Sequence, residues 1–288
     1  LVIGGTGFIG LNLVDALLEK GATVRVTRRR RSITAFVRKR PVELVEASLE
    51  QPDGLRRAMQ GCDEVHFTGA HYPRYSIDLQ SSLEEGVRGV RNVCQAALDV
   101  GVPRLVFTSS IATLEAVPGR PSHEGDIPAE RPKGSVYRAV KWAMEREVEK
   151  AVDRGLHAVT LLPGGCVGPW DVRVGTGGFI VGAVGGKLPW WVDGLVHVTF
   201  VGDVAQAHIA AARRAAAGSR YAIVGCSRPM GELLDVIIRR YGGQMPAERL
   251  EPDAARVRAD QEESRAAPRK ERVPFPREMV DIITGGHP

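Results

Sequence analysis

At 288 residues, with 43% apolar and 25% charged residues, the chain can bury a full core as one large or two small globular domains. Much of its net charge of +5 sits in two runs, residues 28–31 and 38–40, and aromatics make up only 6%. That argues against the spread basic stripe with interleaved aromatics of a nucleic-acid surface. Cys62, Cys94, Cys166 and Cys226 form no CxxC pair, and the histidines show no metal-ligand spacing. No disulfide framework and no metal are therefore expected, and the setting is expected to be reducing and cytoplasmic. No apolar run reaches the ~18 residues that would span a membrane.

The chain opens on Leu1-Val-Ile-Gly-Gly-Thr-Gly-Phe-Ile-Gly10, three apolar strand residues running into Gly4, Gly5, Gly7 and Gly10. An amphipathic segment follows, with Phe8, Leu11, Val14, Leu17 and Leu18 on its apolar side. The pattern predicts a strand, a glycine turn and a helix. Such a unit seats a dinucleotide pyrophosphate on a helix N-terminus, where free N–H groups and the helix dipole favour anions. Because Leu1 already lies near the end of a strand, a few residues are expected upstream.

Further strands are predicted over residues 22–27, 42–46, 64–67, 103–109, 156–162 and 221–224. Helices are predicted over 52–59, 82–100, 136–154, about 200–216, and 228–241. Residues 117–134 read as a polar loop, and 164–194 are rich in Gly, Trp and Pro. The stretch 247–270 is charged and poor in large apolar residues, so loose helix or mobile loop is expected there. Strands alternating with helices imply βαβ units, a parallel sheet and right-handed crossovers. The expected architecture is α/β: a doubly wound parallel-sheet Rossmann fold with a smaller C-terminal substrate-binding part. Residues 1–165, with 199–224 returning, would bind the dinucleotide; 166–198 and 225–288 would bind substrate.

Tyr137-Arg-Ala-Val-Lys141 puts Tyr and Lys at i and i+4, on one helix face. At ~4.5 Å and an effective dielectric of about 20, the ammonium attracts a phenolate by ~3.7 kcal/mol. That is enough to draw the phenol from about 10 towards neutrality, where acid–base work is done. Thr108-Ser109-Ser110, at the end of the predicted fifth strand, offers a hydroxyl to hold a substrate oxygen beside the phenol.

This combination resembles the short-chain dehydrogenase/reductase superfamily in its extended branch, the NAD(P)-dependent epimerase/dehydratase family, and within it the dihydroflavonol-reductase-like group. The resemblance covers about residues 1–241. It rests on Gly4-x-x-Gly7-x-x-Gly10, Phe107-Thr-Ser-Ser110, Tyr137-x-x-x-Lys141, Leu162-Pro163 through Gly168-Pro169, and Phe200-Val-Gly-Asp203-Val-Ala. It implies that Tyr137 is the general acid/base and that Lys141 tunes it while binding the nicotinamide ribose. Ser110 would orient the substrate oxygen, with Ser109 as the alternative, and Pro163 would border the nicotinamide. Gly4, Thr6, Gly7, Phe8, Ile9 and Gly10 would hold the cofactor at the turn, and Ser48, Leu49 and Thr68 would also contact it.

The sequence departs from its relatives in places. Ala47-Ser48-Leu49 stands where many carry Gly-Asp-Leu, Thr68-Gly69 where an alanine pair is frequent, and Gly86 where an Asn is frequent. The resemblance also implies a further helical segment after Pro288, and a homodimer through a four-helix contact of residues 82–100 and 136–154.

Relatives that prefer NAD place an Asp or Glu after strand two to bind the ribose hydroxyls. Here Arg28, Arg29 and Arg30 stand in that region. A guanidinium pairs with a 2′-phosphate that a carboxylate would repel, so NADP(H) is expected ahead of NAD(H), with Arg28 and Arg29 as candidate contacts. Nucleotide-sugar epimerases carry Arg-Asp-Phe just before the Val-x-Asp-Val-Ala stretch, whereas this chain has Val196-His197-Val198. Trp190 and Trp191 would line a substrate pocket or serve as packing residues. An apolar or aromatic carbonyl compound suits the first alternative.

The expected function is an NADP(H)-dependent oxidoreductase that interconverts a carbonyl and a primary or secondary alcohol by Tyr-assisted hydride transfer. Its partner would be a small-molecule carbonyl or alcohol substrate, not a nucleic acid. A nucleotide-sugar epimerase or dehydratase with tightly bound NAD(P) is the alternative enzyme. A non-catalytic NAD(P)-sensing regulator is the alternative of another class, and the Tyr/Lys pair argues against it.

Overall fold

The computed structural model describes residues 1–288 except 74–77, 173, 270, 272, 274 and 286–288. The first half runs β1 (Val2–Ile3), α1 (Phe8–Glu19), β2 (Arg25–Arg28), β3 (Glu43–Glu46), α2 (Pro52–Met59), β4 (Glu64–Phe67), α3 (Leu79–Val100) and β5 (Arg104–Thr108). There follow α4 (Val136–Asp153), β6 (Ala158–Pro163), β7 (Gly165–Val167), α5 (Gly178–Val184), β8 (Trp190–Val192), β9 (Leu195–Phe200), α6 (Val201–Arg214) and β10 (Arg220–Ile223). The chain continues with β11 (Cys226–Pro229), α7 (Met230–Tyr241), β12 (Glu248–Leu250), α8 (Pro252–Ala266) and α9 (Arg277–Thr284).

Seven strands form one parallel sheet in the order β3-β2-β1-β4-β5-β6-β10. The winding reverses between β1 and β4, which opens a crevice at the carboxyl ends of those strands, where doubly wound sheets bind ligands. Both faces are covered, as parallel strands require. Phe67, Phe107, Val90 and Met144 pack under α2, α3 and α4; Val2, Val26, Leu11 and Ile209 pack under α1 and α6. The expected doubly wound Rossmann architecture is the observed one.

Several boundaries move for local reasons. Helix α3 begins at Leu79 rather than 82 because the Asp78 carboxylate accepts from the Ser81 N–H at 3.0 Å, capping the helix earlier. Helix α7 begins at Met230 rather than 228 because residues 226–229 pair antiparallel with β9. The expectation of loose helix or loop over 247–270 is corrected for the described residues. Residues 248–250 pair parallel with β8, and α8 is a regular helix, while Lys270 lies outside the described residues. The buried face of α8 is built from Ala255, Ala259, Glu263 and Ala266, which a search for large apolar residues overlooks. Arg256 ties this helix to Asp281 of α9.

Trp190, Met230, Leu234, Ala259, Phe275 and Val280 form a second core, built from α7, α8, α9 and the strands beside them. Among the described residues no helix is long and apolar enough to cross a membrane.

Candidate active site

The glycine turn lies between β1 and α1. Gly4 has a φ of +92°, a conformation that L side chains rarely adopt. A Cβ on Gly10 would lie 2.2 Å from the Gly4 carbonyl oxygen, so α1 can pack this closely only with glycine there. The N-cap of α1 is Gly7, which supplies no capping side chain, and the first helical turn carries no acidic residue. Its N–H groups and dipole are left for an anion. Gly4, Thr6 and Gly7 line a groove of about 440 Å³ that also runs past Ser48, Leu49 and Thr68. A cradle of bare backbone at a helix N-terminus, continuous with a long groove, fits a dinucleotide. Phe8 and Ile9 are half-buried in the first turn of α1, and Gly10 is buried against Gly4.

Two of the departures fall at tightly packed positions. A Cβ on Gly69 would stand 2.8 Å from the Gly4 Cα, so an alanine at this position would run into backbone. A Cβ on Gly86 would meet Met144 Cε at 2.8 Å and Val140 Cγ1 at 3.0 Å, so a larger residue there would require side chains of α4 to shift.

The arginines after β2 divide. Arg28 ends the strand with its guanidinium 3.1 Å from Glu46, an engagement the sequence does not announce. Arg29 lines the main groove, and with Arg30 and Arg31 it lines an adjoining depression that includes Ser48 and Gln51. Of the two expected contacts, Arg29 faces the groove, and Arg28 is paired with Glu46, which lines the adjoining depression.

At the carboxyl end of β5, Ser110, Tyr137 and Lys141 come together. Ser135 caps α4 by accepting from the Arg138 N–H at 3.2 Å, which fixes where the helix carrying Tyr137 and Lys141 starts. All three side chains are buried. The Lys141 ammonium donates to the Thr108 carbonyl at 3.5 Å and lies 5.8 Å from the Tyr137 ring centre. Ser110 Oγ accepts from the Ala112 N–H at 3.2 Å and faces the Tyr137 phenol, whose ionised form it favours. Ser109 instead donates to Glu145, which Arg220 holds at 2.7 Å, so its hydroxyl belongs to a buried structural network. Pro163 ends β6 next to β5 and is buried.

The expected lowering of the Tyr137 phenol is corrected. Burial pushes it well above its ordinary value, Glu278 once ionised adds to the rise, and Ser110 opposes it. Burial also brings Lys141 down to about 8, against the attraction of Glu145 and Glu278. In the interior, desolvation outweighs a single ion–phenolate attraction.

Two members of the site escaped the sequence. Tyr72, just after β4, packs its ring tilted against that of Tyr137, with ring centres 5.2 Å apart, and donates to Glu278 Oε1 at 2.8 Å. Glu278 is buried in the first turn of α9. The residues between Tyr137 and Glu278 carry no motif that links them.

Trp190 is fully buried against Phe275, with ring centres 4.5 Å apart, and its indole N–H donates to Glu262 at 3.0 Å. Trp191 is buried beneath the Arg249 guanidinium. Both tryptophans pack the second core.

The sequence model of the NAD-dependent epimerase/dehydratase family matches residues 1–225. A Synechocystis sp. protein named as a dihydroflavonol 4-reductase is 34% identical over 217 residues, covering 74% of this chain; the chain spans 62% of that relative's length. Sterol demethylase protein B of Methylococcus capsulatus is 30% identical over 253 residues, covering 88% of this chain and 77% of the relative. The crystal structure of a nucleoside-diphosphate-sugar epimerase from Pseudomonas aeruginosa superposes with a TM-score of 0.81 at 25% identity, covering 92% of this chain and 83% of that one. With its glycine turn, serine strand end and Tyr/Lys helix, this chain belongs to the NAD-dependent epimerase/dehydratase family, whose members are NAD(P)-dependent enzymes of the extended short-chain dehydrogenase/reductase type.

Proposed function

We propose that the protein is an NADP(H)-dependent oxidoreductase interconverting a carbonyl compound and its primary or secondary alcohol. The observation that carries this reading is the buried cluster of Ser110, Tyr137 and Lys141 at the carboxyl end of β5. Gly4, Thr6, Gly7 and the N-terminus of α1 hold the pyrophosphate, and Arg29, supported by Arg30, takes the 2′-phosphate. The reduced nicotinamide supplies the hydride when bound.

The chain's own residues manage the proton. Burial keeps the Tyr137 phenol protonated at neutrality, the form that donates to a substrate oxygen. Ser110 orients that oxygen, and Lys141 stabilises the phenolate left behind. Residues 1–165 and 199–224 form the cofactor part; 166–198 and 225–288 cap it over the substrate. Association of two copies through α3 and α4 belongs to the same reading, and light scattering tests it.

The test is a thermal-shift comparison of NADPH and NADH, followed by oxidation of the preferred cofactor across a carbonyl panel. A larger shift with NADPH and turnover of an apolar or aromatic carbonyl are expected. No turnover with any carbonyl would overturn the reading.

The likeness to the Pseudomonas epimerase favours a second reading, a nucleotide-sugar epimerase or dehydratase. Against it, His197 is buried with Nδ1 2.7 Å from Ser227, and Val196-His197-Val198 presents no guanidinium to a diphosphate. NAD retained through dialysis together with UDP-sugar binding would favour this second reading.

A further inference from the structure

Helix α9 inserts an acid where its own sequence has little use for one. Its neighbours Val280 and Ile283, with Phe275 just before the helix, belong to the second core, yet Glu278 is only 7% exposed. A carboxyl in such surroundings is unfavourable unless it is hydrogen-bonded or neutral. It accepts from the Tyr72 hydroxyl at 2.8 Å.

Tyr72 in turn lines the dinucleotide groove, and its ring lies 5.2 Å from the Tyr137 ring. One side chain thus touches the cofactor groove, the proton donor and the last helix. Among the described residues, the groups facing Glu278 are Tyr72 from the segment after β4, Tyr137 and Lys141 from α4, Glu263 from α8, and Asp281 on α9 itself. Glu263 is engaged by the Arg277 N–H at 2.9 Å, and Asp281 by Arg277 and Arg256.

We propose that Glu278 is a positioning residue of the active site: through its hydrogen bond to Tyr72 it holds a ring against Tyr137, and it places an ionisable carboxyl near the Tyr137–Lys141 pair. The inference rests on the reading of Tyr137 as the proton donor. Burial brings the Glu278 carboxyl up to about 8, opposed by the Tyr72 hydrogen bond and Lys141 and aided by Glu263 and Asp281. At neutrality it is therefore an uncharged acceptor that adds no repulsion to the site. Once ionised, it opposes the phenolate that proton transfer leaves on Tyr137. Ionisation of Glu278 and deprotonation of Lys141 both impair turnover on the alkaline side, and the two protons titrate as a coupled pair.

The test compares wild type with Glu278→Gln, Glu278→Ala and Tyr72→Phe in the full-length chain, by turnover against pH and by Tm against pH. Above about pH 8 the wild-type plot of log kcat against pH is expected to steepen towards a slope of about −2, and that of Glu278→Gln towards about −1. Tyr72→Phe is expected to lower kcat about tenfold, with NADPH affinity within about twofold of wild type. Glu278→Gln, which keeps the acceptor oxygen, is expected to turn over faster at pH 7 than Glu278→Ala.

The stability arm needs no turnover. The folded protein holds the Glu278 proton up to about pH 8, whereas the unfolded chain releases it at about 4.3. Wild type is therefore expected to lose Tm relative to Glu278→Gln as pH rises from 5 to 8. Identical slopes of log kcat in wild type and Glu278→Gln, or parallel Tm profiles, would overturn the proposal. Absence of turnover with every carbonyl would count against the oxidoreductase reading, and the Tm comparison would still decide whether Glu278 ionises as proposed.

Discussion

The backbones of Gly4 and Gly69 meet so closely that a Cβ on Gly69 would lie 2.8 Å from the Gly4 Cα and 3.0 Å from its nitrogen. Both atoms are backbone, so no side-chain rotation relieves the contact. This contact joins the ends of β1 and β4, at the floor of the dinucleotide groove. Gly69→Ala is expected to destabilise the fold by about 1–3 kcal/mol through overpacking and to weaken dinucleotide binding further by displacing the turn. Urea unfolding and a fluorescence titration with NADPH read the two effects separately.

Tyr137→Phe keeps the ring and removes the proton. Turnover is expected to fall by about 10²- to 10⁴-fold, while dinucleotide affinity changes little, because the glycine turn and arginines are untouched. Full turnover in this variant would sink the assignment.

Arg28 and Arg29 give a sharper contrast than their adjacency suggests. Arg29 lines the groove, whereas Arg28 is held 3.1 Å from Glu46. Arg29→Ala is expected to weaken NADPH binding by about 1.5–3 kcal/mol and leave NADH nearly unaffected. Arg28→Ala is expected to do much less. Calorimetric titration with both cofactors checks this, and a larger effect at Arg28 would reverse the assignment.

The Glu145–Arg220 pair lies behind Ser109, with side-chain exposures of 2% and 8%. Glu145→Ala leaves a guanidinium buried without its carboxylate, and a loss of about 3–5 kcal/mol is expected. Replacing both residues with methionine is expected to restore much of that loss, as urea unfolding would show. Equal losses for the single and double variants would mean that the pair itself is stabilising.

Lys141 carries a pH dependence of its own. Burial lowers it to about 8, below its unfolded value, so the unfolded chain holds the proton at higher pH. The destabilisation is therefore fully present below about pH 8 and is relieved as pH rises towards about 10.4. The relief is expected to be on the order of 3 kcal/mol, and Lys141→Met is expected to lack it in a Tm profile over that range.

Much of the cofactor side was legible because its determinants are local. The turn needs glycine where backbone meets backbone, and the Tyr/Lys pair needs only a helix to share a face. Residue patterns of this kind survive in one dimension. The C-terminal stretch was less legible because α8 buries alanines, which do not register as an apolar face until α9 and β8 are packed against them. The tryptophans illustrate the same limit: their chemistry suits a pocket wall and a core equally, and only the position of Phe275 decides.

By itself the sequence determined that a dinucleotide groove, a serine at a strand end and a Tyr/Lys pair share one parallel-sheet frame. Tertiary structure decided the state of those groups. It turned Arg28 to Glu46 and Ser109 to Glu145, and it brought Glu278 from the last helix to Tyr72. It also reversed the expected direction of the Tyr137 shift. The physical reason is that spacing along the chain specifies which side chains can share a face. Desolvation and partner choice depend on what distant segments place around them.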